Sequence, residues 1–201
     1  MKNETTAHAE IPGYEYGTDQ TPKSPVTLDE LRQLEQAVGW TEEDAAWLRI
    51  AAETLVPKAE EMVDEWRAVI ASEPQLVASF LKSDGSPDDA YRAAIKRRFV
   101  QWVSDVCLRP HDQEWLNYQE EIGQRHTPAK KNQTDGGHTP PVVPMRYTLG
   151  FSAVVITSVH SFLISSGRSE EAVQRMRAAW TRGVLLSITL WTRAYTSPGL
   201  W

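Results

Sequence analysis

Residues 115–135 read WLNYQEEIGQRHTPAKKNQTD, and this stretch decides how the rest of the chain is interpreted. Its first half has the spacing of an amphipathic helix that ends at a histidine. Pro128 makes Thr127 a poor place for that helix to continue, and the polar run 130–134 then predicts a loop. The positions that share one face of the predicted helix are Trp115, Tyr118, Ile122 and His126.

This pattern allows two interpretations of His126. A neutral imidazole at the end of an apolar stripe can ligate a metal ion or a haem iron from one side. A histidine that only packs in the core produces the same pattern, and the pattern alone favours this structural role. The choice therefore depends on the rest of the chain.

Composition limits the possible classes of protein. With 201 residues, 41% of them hydrophobic, the chain can form one domain with a substantial core, with or without an extension. The net charge of −6 argues against nucleic acid as a partner. The single Cys107 excludes an internal disulfide and a C-x-x-C site, and its apolar surroundings predict a buried, inert thiol. Most of the eight tryptophans should line the interior.

Membrane and export signals are not expected. No uninterrupted apolar run approaches the roughly 18 residues of a membrane span. The first ten residues, MKNETTAHAE, lack the apolar region of a signal peptide. Both observations predict a cytoplasmic protein.

Helix starts are marked by capping residues and prolines. Thr27 with Glu30 forms a capping box, Pro57 predicts a break between two helices, and Pro74 is tolerated in the first turn of a short one. Ser86 with Asp89 predicts the cap of a long helix that continues to about Leu108. Further helix starts are predicted near Thr41, Glu60 and Ser169. Strand-type alternation is missing from the sequence, so the predicted fold is all-α with about eight helices.

The structures of three segments are predicted less directly. Residues 145–164 are almost wholly apolar, and periodicity does not separate a strand from a buried helix, but the length favours a buried helix. Residues 130–144 contain Gly136, Gly137 and three prolines, which predicts a long functional loop. Residues 11–25 are turn-rich, yet Tyr14 and Tyr16 predict that this arm lies on the body of the protein.

Several motifs together resemble those of the protoglobin family, the single-domain relatives of globin-coupled sensors. The resemblance begins at Ile11 and is most specific in IGQRH followed by KKNQTD. It implies a globin-like helical sandwich with an additional N-terminal helix and an N-terminal arm, divided into an arm at 1–25 and a haem domain at 26–201. The matching motifs are IPGYEYG (11–17), KRRFVQW (96–102), EWLNYQEEIGQRH (114–126), KKNQTD (130–135), PMRY (144–147) and the tryptophan that closes the last helix.

This resemblance implies haem b, iron protoporphyrin IX, as the cofactor and His126 as its iron ligand. Cations close to the haem propionates would be Arg98 and, as a further candidate, Arg92; a solvated helix face is an equally good reading for both. Without the resemblance, plain core packing is the favoured reading for the aromatic positions. The remaining pocket residues that the resemblance implies are Trp66, Phe99, Phe151 and Val155.

Arg67 departs from the family pattern, which usually has a tyrosine there to donate a hydrogen bond to bound oxygen. An arginine could extend into the pocket as a permanent cation, or lie outward towards solvent or a propionate. The outward placement is favoured because an unpaired buried guanidinium is costly. The pocket would then lack the hydroxyl donor, and oxygen would be held less firmly.

The implied function is binding of diatomic gases (O2, CO and NO) for sensing, storage or detoxification. The alternatives are a haem enzyme with peroxidase, NO-dioxygenase or, in an engineered member, carbene-transfer activity, and a helical interaction module without haem. By the same resemblance, residues 145–164 and the last helix would form a homodimer face.

The other four histidines, His8, His111, His138 and His160, are expected to be structural or exposed, with His160 a minor candidate for a second ligand.

Overall fold

A computed structural model describes residues 11–197 and 199–201 of the chain, and these residues form eight α-helices and no strand. Two 3-10 helices follow α4 and α8, at Ala78–Phe80 and Arg193–Tyr195. The all-α prediction is therefore confirmed for this part of the chain. The helices are α1 (Leu28–Val38), α2 (Glu42–Leu55), α3 (Ala59–Ser72), α4 (Pro74–Val77), α5 (Asp89–Leu108), α6 (Gln113–Gln124), α7 (Met145–Ile164) and α8 (Glu170–Thr192).

The helix ends follow the capping signals, with one correction. The Thr27–Glu30 capping box is present, with the Thr27 backbone N–H donating to Glu30 Oε2 at 2.8 Å. The long helix α5 is capped by Asp88, whose carboxylate accepts from the Tyr91 backbone N–H, so the predicted Ser86 cap is wrong. Ser86 instead belongs to the preceding turn, where its backbone N–H and its hydroxyl both donate to Asp84 Oδ1, at 2.9 and 2.6 Å.

The core is built around α8. Helices α2, α6 and α7 pack against α8, and α5 packs against α2 and α3. A separate apolar cluster that includes Leu31, Leu116 and Leu186 holds α1 against α6 and α8. Helix α1 is therefore the additional N-terminal helix that the family resemblance implies. Five of the eight tryptophans are buried, as the composition predicts: Trp66, Trp102, Trp115, Trp180 and Trp191.

Helix α7 is less buried than its composition predicts. It is a helix, as expected from its length, but Leu149 and Ile164 are 42% and 56% exposed. By length and composition alone α7 could also cross a membrane, although small polar residues interrupt its apolar run. Core helices of soluble proteins have the same length and composition, and α7 packs extensively on α8.

The described part of the arm, residues 11–25, lies against α5 and α6 without forming a helix. The Tyr14 hydroxyl donates to the Asp105 carboxylate at 2.9 Å, and the Arg109 guanidinium lies 4.2 Å from the centre of the Tyr16 ring. Residues 1–10, which include His8 and form the segment used for the export prediction, lie outside the described residues. The tyrosines therefore anchor the arm as their aromatic character predicts.

Candidate functional site

A cavity lies between α3, α5, α7 and α8, and its remaining walls come from α4, the end of α6 and the loop that follows α6. Most of the side chains that line it are aliphatic or aromatic. The apolar lining includes Ile70, Leu76, Val77, Phe80, Ile95, Phe99, Trp102, Ile122, Val143, Phe151, Val155, Ile188 and Trp191.

The size of this cavity suits one large apolar ligand. Its volume is about 240 Å³, whereas a buried water needs roughly 10–15 Å³ and two to four polar partners. An apolar lining cannot provide hydrogen bonds for so many waters. A single large ligand with an apolar body would make better use of these walls.

His126 lines the cavity just beyond the end of α6, in a turn closed by a hydrogen bond from its backbone N–H to the Gly123 carbonyl at 3.1 Å. Its Nδ1 lies 2.8 Å from the Ile122 carbonyl oxygen. A carbonyl only accepts, so Nδ1 carries the proton and Nε2 keeps its lone pair. This is the tautomer that a metal ligand needs.

Trp191 of α8 fixes the position of the His126 ring. The two rings are stacked, with centroids 5.5 Å apart and planes inclined by 17°. The indole N–H of Trp191 donates to Gln119 Oε1 at 2.8 Å, which connects α8 to α6. Gly123 allows this approach, because a Cβ there would lie 3.0 Å from the Trp191 carbonyl oxygen. The glycine of the IGQRH motif thus has a packing role beside the histidine.

Electrostatics keep the His126 imidazole neutral. Burial lowers its pKa below the ordinary histidine value, and the charges of Lys131 and Arg125 lower it further, against the opposing effect of the Ile122 hydrogen bond. At a pH just below the ordinary histidine pKa, a solvent-exposed imidazole would be protonated, whereas the His126 imidazole stays neutral. A neutral imidazole with a free Nε2 is therefore the stable form at neutral pH.

The other residues predicted for the pocket fall into two groups. Phe99 of α5 and Phe151 and Val155 of α7 line the cavity. Trp66 does not; it is fully buried behind Phe99, with ring centroids 5.0 Å apart, and its indole N–H donates to Ser158 Oγ at 2.7 Å. Trp66 thus supports a wall of the cavity from behind.

Arg67 lies where the cavity meets solvent. Its side chain lines the cavity and is 30% exposed, and its Nη1 is 3.7 Å from Asp64 Oδ1. The ion pair with Asp64 is long and solvent-accessible. Arg67 is consequently neither fully inside the pocket nor turned away from it.

Arg98 also lines the cavity but already has a carboxylate partner. Its two terminal nitrogens donate to Asp135 at 2.9 and 2.5 Å, and Nη1 also donates to the Pro12 carbonyl at 2.8 Å. Both members of the pair are about nine-tenths buried. Arg98 thereby joins the arm, α5 and the loop, and a ligand carboxylate would have to share it with Asp135. Arg92, the further candidate, lines the cavity with a looser partner, Asp89.

Lys131 is the main lining residue that sequence reasoning missed. It belongs to the polar run that was predicted to be a loop, and it is only 3% exposed. Hydrogen bonds within the loop hold Lys131 in place, including the one from the Lys131 backbone N–H to the Thr127 carbonyl at 3.0 Å. No signal in the pair Lys130–Lys131 indicates which of the two lies inside.

The remaining described histidines do not belong to the cavity. His111 is packed between Trp40 and Trp115 and bonded to Glu35 at 2.8 Å, and His138 is exposed. His160 on α7 does not line the cavity. Among the described residues, no group of three or more histidine, cysteine or acidic side chains could hold a metal ion. Among the described histidines, His126 is the one that lines the cavity.

Comparisons with known proteins agree with this architecture. The model of the protoglobin family matches residues 27–201. The globin domain of a globin-coupled sensor from Geobacter sulfurreducens is similar in structure, with a TM-score of 0.65 and 16% sequence identity over 83% of this chain and 97% of that domain. At that identity the likeness shows the globin fold. A comparison with curated protein sequences finds no match.

Proposed function

The chain belongs to the protoglobin family, and from this premise we propose that it is a haem b protein that binds the diatomic gases O2, CO and NO. The observation that carries the proposal is His126. Its proton is held on Nδ1 by the Ile122 carbonyl, and the side chain lines a large apolar cavity. Iron bound by one neutral imidazole keeps a position open for a gas molecule.

The side chains of the cavity fit the parts of a haem. An apolar macrocycle suits the aliphatic and aromatic walls, and His126 Nε2 suits the iron. Phe99, Phe151 and Val155 exclude water from the space between the helices, which favours binding of uncharged gases. Trp191 and the Ile122 carbonyl hold the imidazole in one orientation and so limit its rotation.

The proposal is tested by the visible spectrum of the purified protein with and without carbon monoxide. We expect a Soret band that shifts when CO is added to the reduced protein. His126→Ala should abolish or greatly weaken haem retention, whereas His138→Ala, which removes an exposed imidazole, should leave it unchanged. Normal haem retention in His126→Ala would overturn the assignment of the iron ligand.

A second candidate is a haem enzyme, and Arg67 is the observation that favours it. A permanent cation that lines the cavity can stabilise negative charge that develops on a bound oxidant such as hydrogen peroxide. Peroxidase and NO-dioxygenase activities, and carbene transfer from diazo reagents in an engineered setting, belong to this candidate. Turnover that exceeds that of free haem and falls in Arg67→Met would support it.

We also propose that the protein is a cytoplasmic homodimer that pairs through α7 and α8. Both helices carry exposed apolar side chains, among them Leu149 and Ile164 on α7 and Leu185 on α8. Burial of such a surface against a second copy would remove it from water. Sedimentation analysis of the wild type and of Leu149→Glu tests this, with dissociation expected in the variant.

A further inference from the structure

Lys131 is a buried cation without an anionic partner in the described residues. Its ammonium donates to the Ser79 carbonyl at 2.9 Å and to Thr139 Oγ1 at 2.6 Å, and both acceptors are uncharged. The Tyr91 ring centre lies 5.1 Å from Nζ. Burial lowers the pKa of Lys131 to about 8, and no nearby carboxylate opposes that effect.

The neighbouring cations differ from Lys131 in this respect. Arg98 is paired with Asp135. Arg125 and Lys130 both bind Glu121, at 2.7 and 2.5 Å. Arg67 and Arg92 have surface carboxylates within 4 Å and are about one-third exposed, so solvent supports their charges. Lys131 combines full burial with neutral partners only.

This arrangement is costly for the chain alone. A buried charge without a counter-ion loses its hydration and gains little in return, and proteins normally pair such a group or neutralise it. Because Lys131 lines the cavity, a bound molecule can reach the same space and supply the missing negative charge. The cost would then be offset by an ion pair in a medium of low dielectric constant.

We propose that Lys131 binds a carboxylate of the cavity ligand. The inference rests on the proposed haem function, in which the carboxylate is a propionate of the haem. The ligand is thereby bound at two points, with its iron on His126 and its acidic edge on Lys131. Arg98, which the family resemblance suggested for this role, keeps Asp135 as its own partner.

The opposing interpretation is that Lys131 only connects the loop to the 3-10 helix at Ala78–Phe80, through Ser79 and Thr139. Loss of that connection would loosen the cavity for every ligand, charged or not. A ligand whose carboxylates are esterified separates the two interpretations, since it keeps the macrocycle and the iron but carries no negative charge.

The experiment measures the affinities of haem and of haem dimethyl ester for the wild type and for Lys131→Met, which keeps the length of the side chain without its charge. Lys130→Met is the matched control, because it removes one charge from the adjacent position, where the ammonium is paired with Glu121. We expect Lys131→Met to weaken haem binding by about 10- to 100-fold, the range for a hydrogen bond between charged groups. The loss for the ester should stay below about threefold, and the control should bind haem like the wild type.

Equal losses for haem and ester, or no loss for haem, would overturn the inference. If Lys131→Met does not fold, as judged by circular dichroism, Lys131→Gln removes the charge while retaining an N–H donor, and the same comparison is made with it. Failure of the wild type to bind either porphyrin would instead overturn the proposed function. The two failures are thus distinguishable in one set of titrations.

Discussion

The two sides of the cavity are held by different kinds of interaction. On the histidine side, formed by Gln119, Ile122, His126 and Trp191, each contact is a neutral hydrogen bond or a stack of rings. On the loop side, formed by Arg98, Lys131, Asp135 and Thr139, the interactions involve buried charges. The first side orients the imidazole of His126, and the second places charge next to an apolar space.

This difference has energetic consequences. Neutral hydrogen bonds contribute modestly to folding stability, and their contribution depends little on salt or pH. Buried ion pairs contribute little net stability when intact but are costly when one member is removed. We therefore expect the loop side to respond strongly to changes in charge, and the histidine side to respond mainly to changes in shape.

The largest effect is expected for Asp135→Asn. The substitution leaves the Arg98 guanidinium buried without a negative charge, because the amide oxygen that replaces the carboxylate and the Pro12 carbonyl are both neutral acceptors. We expect a loss of about 3–5 kcal/mol in the free energy of unfolding, measured by urea denaturation.

Asp64→Asn is the control for that measurement. Asp64 also binds cations, Lys96 at 2.8 Å and Arg67 at 3.7 Å, but its side chain is 53% exposed. Its removal should cost about 1 kcal/mol or less, as for other surface pairs. Equal losses for the two variants would show that the loop side does not depend on buried charge.

The next effect concerns Lys131 and pH. Its pKa is lowered to about 8 by burial, against roughly 10.4 in an unfolded chain. Between these values the unfolded chain binds the proton and the folded chain does not, so stability rises with pH across this window. Without added haem we expect a gain of at most about 3 kcal/mol, present in the wild type and missing in Lys131→Met.

Lys130→Met serves again as the control and should keep the rise between pH 8 and 10.4. Bound haem should reduce the rise in the wild type, because a ligand carboxylate would hold Lys131 in its charged form. A pH profile that is identical in the wild type and Lys131→Met would show that the Lys131 ammonium is not destabilised by burial.

The α6 part of the histidine side could be predicted from the sequence because its signals are periodic and local, whereas the contacts of Trp191 with Gln119 and His126 join α8 to α6 and could not. The apolar stripe that ends at His126, the motif around it and the capping boxes all depend on neighbours within one helix. The all-α class followed from the same signals, whereas the globin-like arrangement of the helices was implied by the family resemblance. The hydrogen bond to Ile122 is a consequence of the helix end, since it joins residues four apart.

The loop side could not be predicted, because its contacts join residues far apart in the chain. Lys131 reaches Ser79, and Arg98 reaches both Pro12 and Asp135. Adjacent lysines look alike in sequence, and only the tertiary structure buries one of them. The prediction that α7 is a buried helix did not reveal its exposed face for a related reason. An apolar composition does not indicate which faces of a helix pack against other elements.

The smallest effect concerns Arg67, whose charge lies at the mouth of the cavity and belongs to neither side. Its side chain is 30% exposed and lies next to Asp64, so we expect water and that carboxylate, and not a bound gas, to accept hydrogen bonds from Arg67. In Arg67→Tyr, a hydroxyl in this position would donate to bound oxygen and slow its dissociation by about fivefold, which corresponds to one neutral hydrogen bond. The measurement is the oxygen dissociation rate in a stopped-flow exchange with carbon monoxide.

Arg67→Phe separates the hydroxyl from the loss of the guanidinium, because phenylalanine matches tyrosine in shape but cannot donate. Oxygen dissociation in this variant should remain close to that of the wild type. If dissociation becomes faster in Arg67→Phe and does not slow in Arg67→Tyr, the guanidinium already donates to the gas from the cavity mouth. Arg67 would then be a further charged residue of the site, and a charge would act on the bound gas in addition to the charges of the loop side.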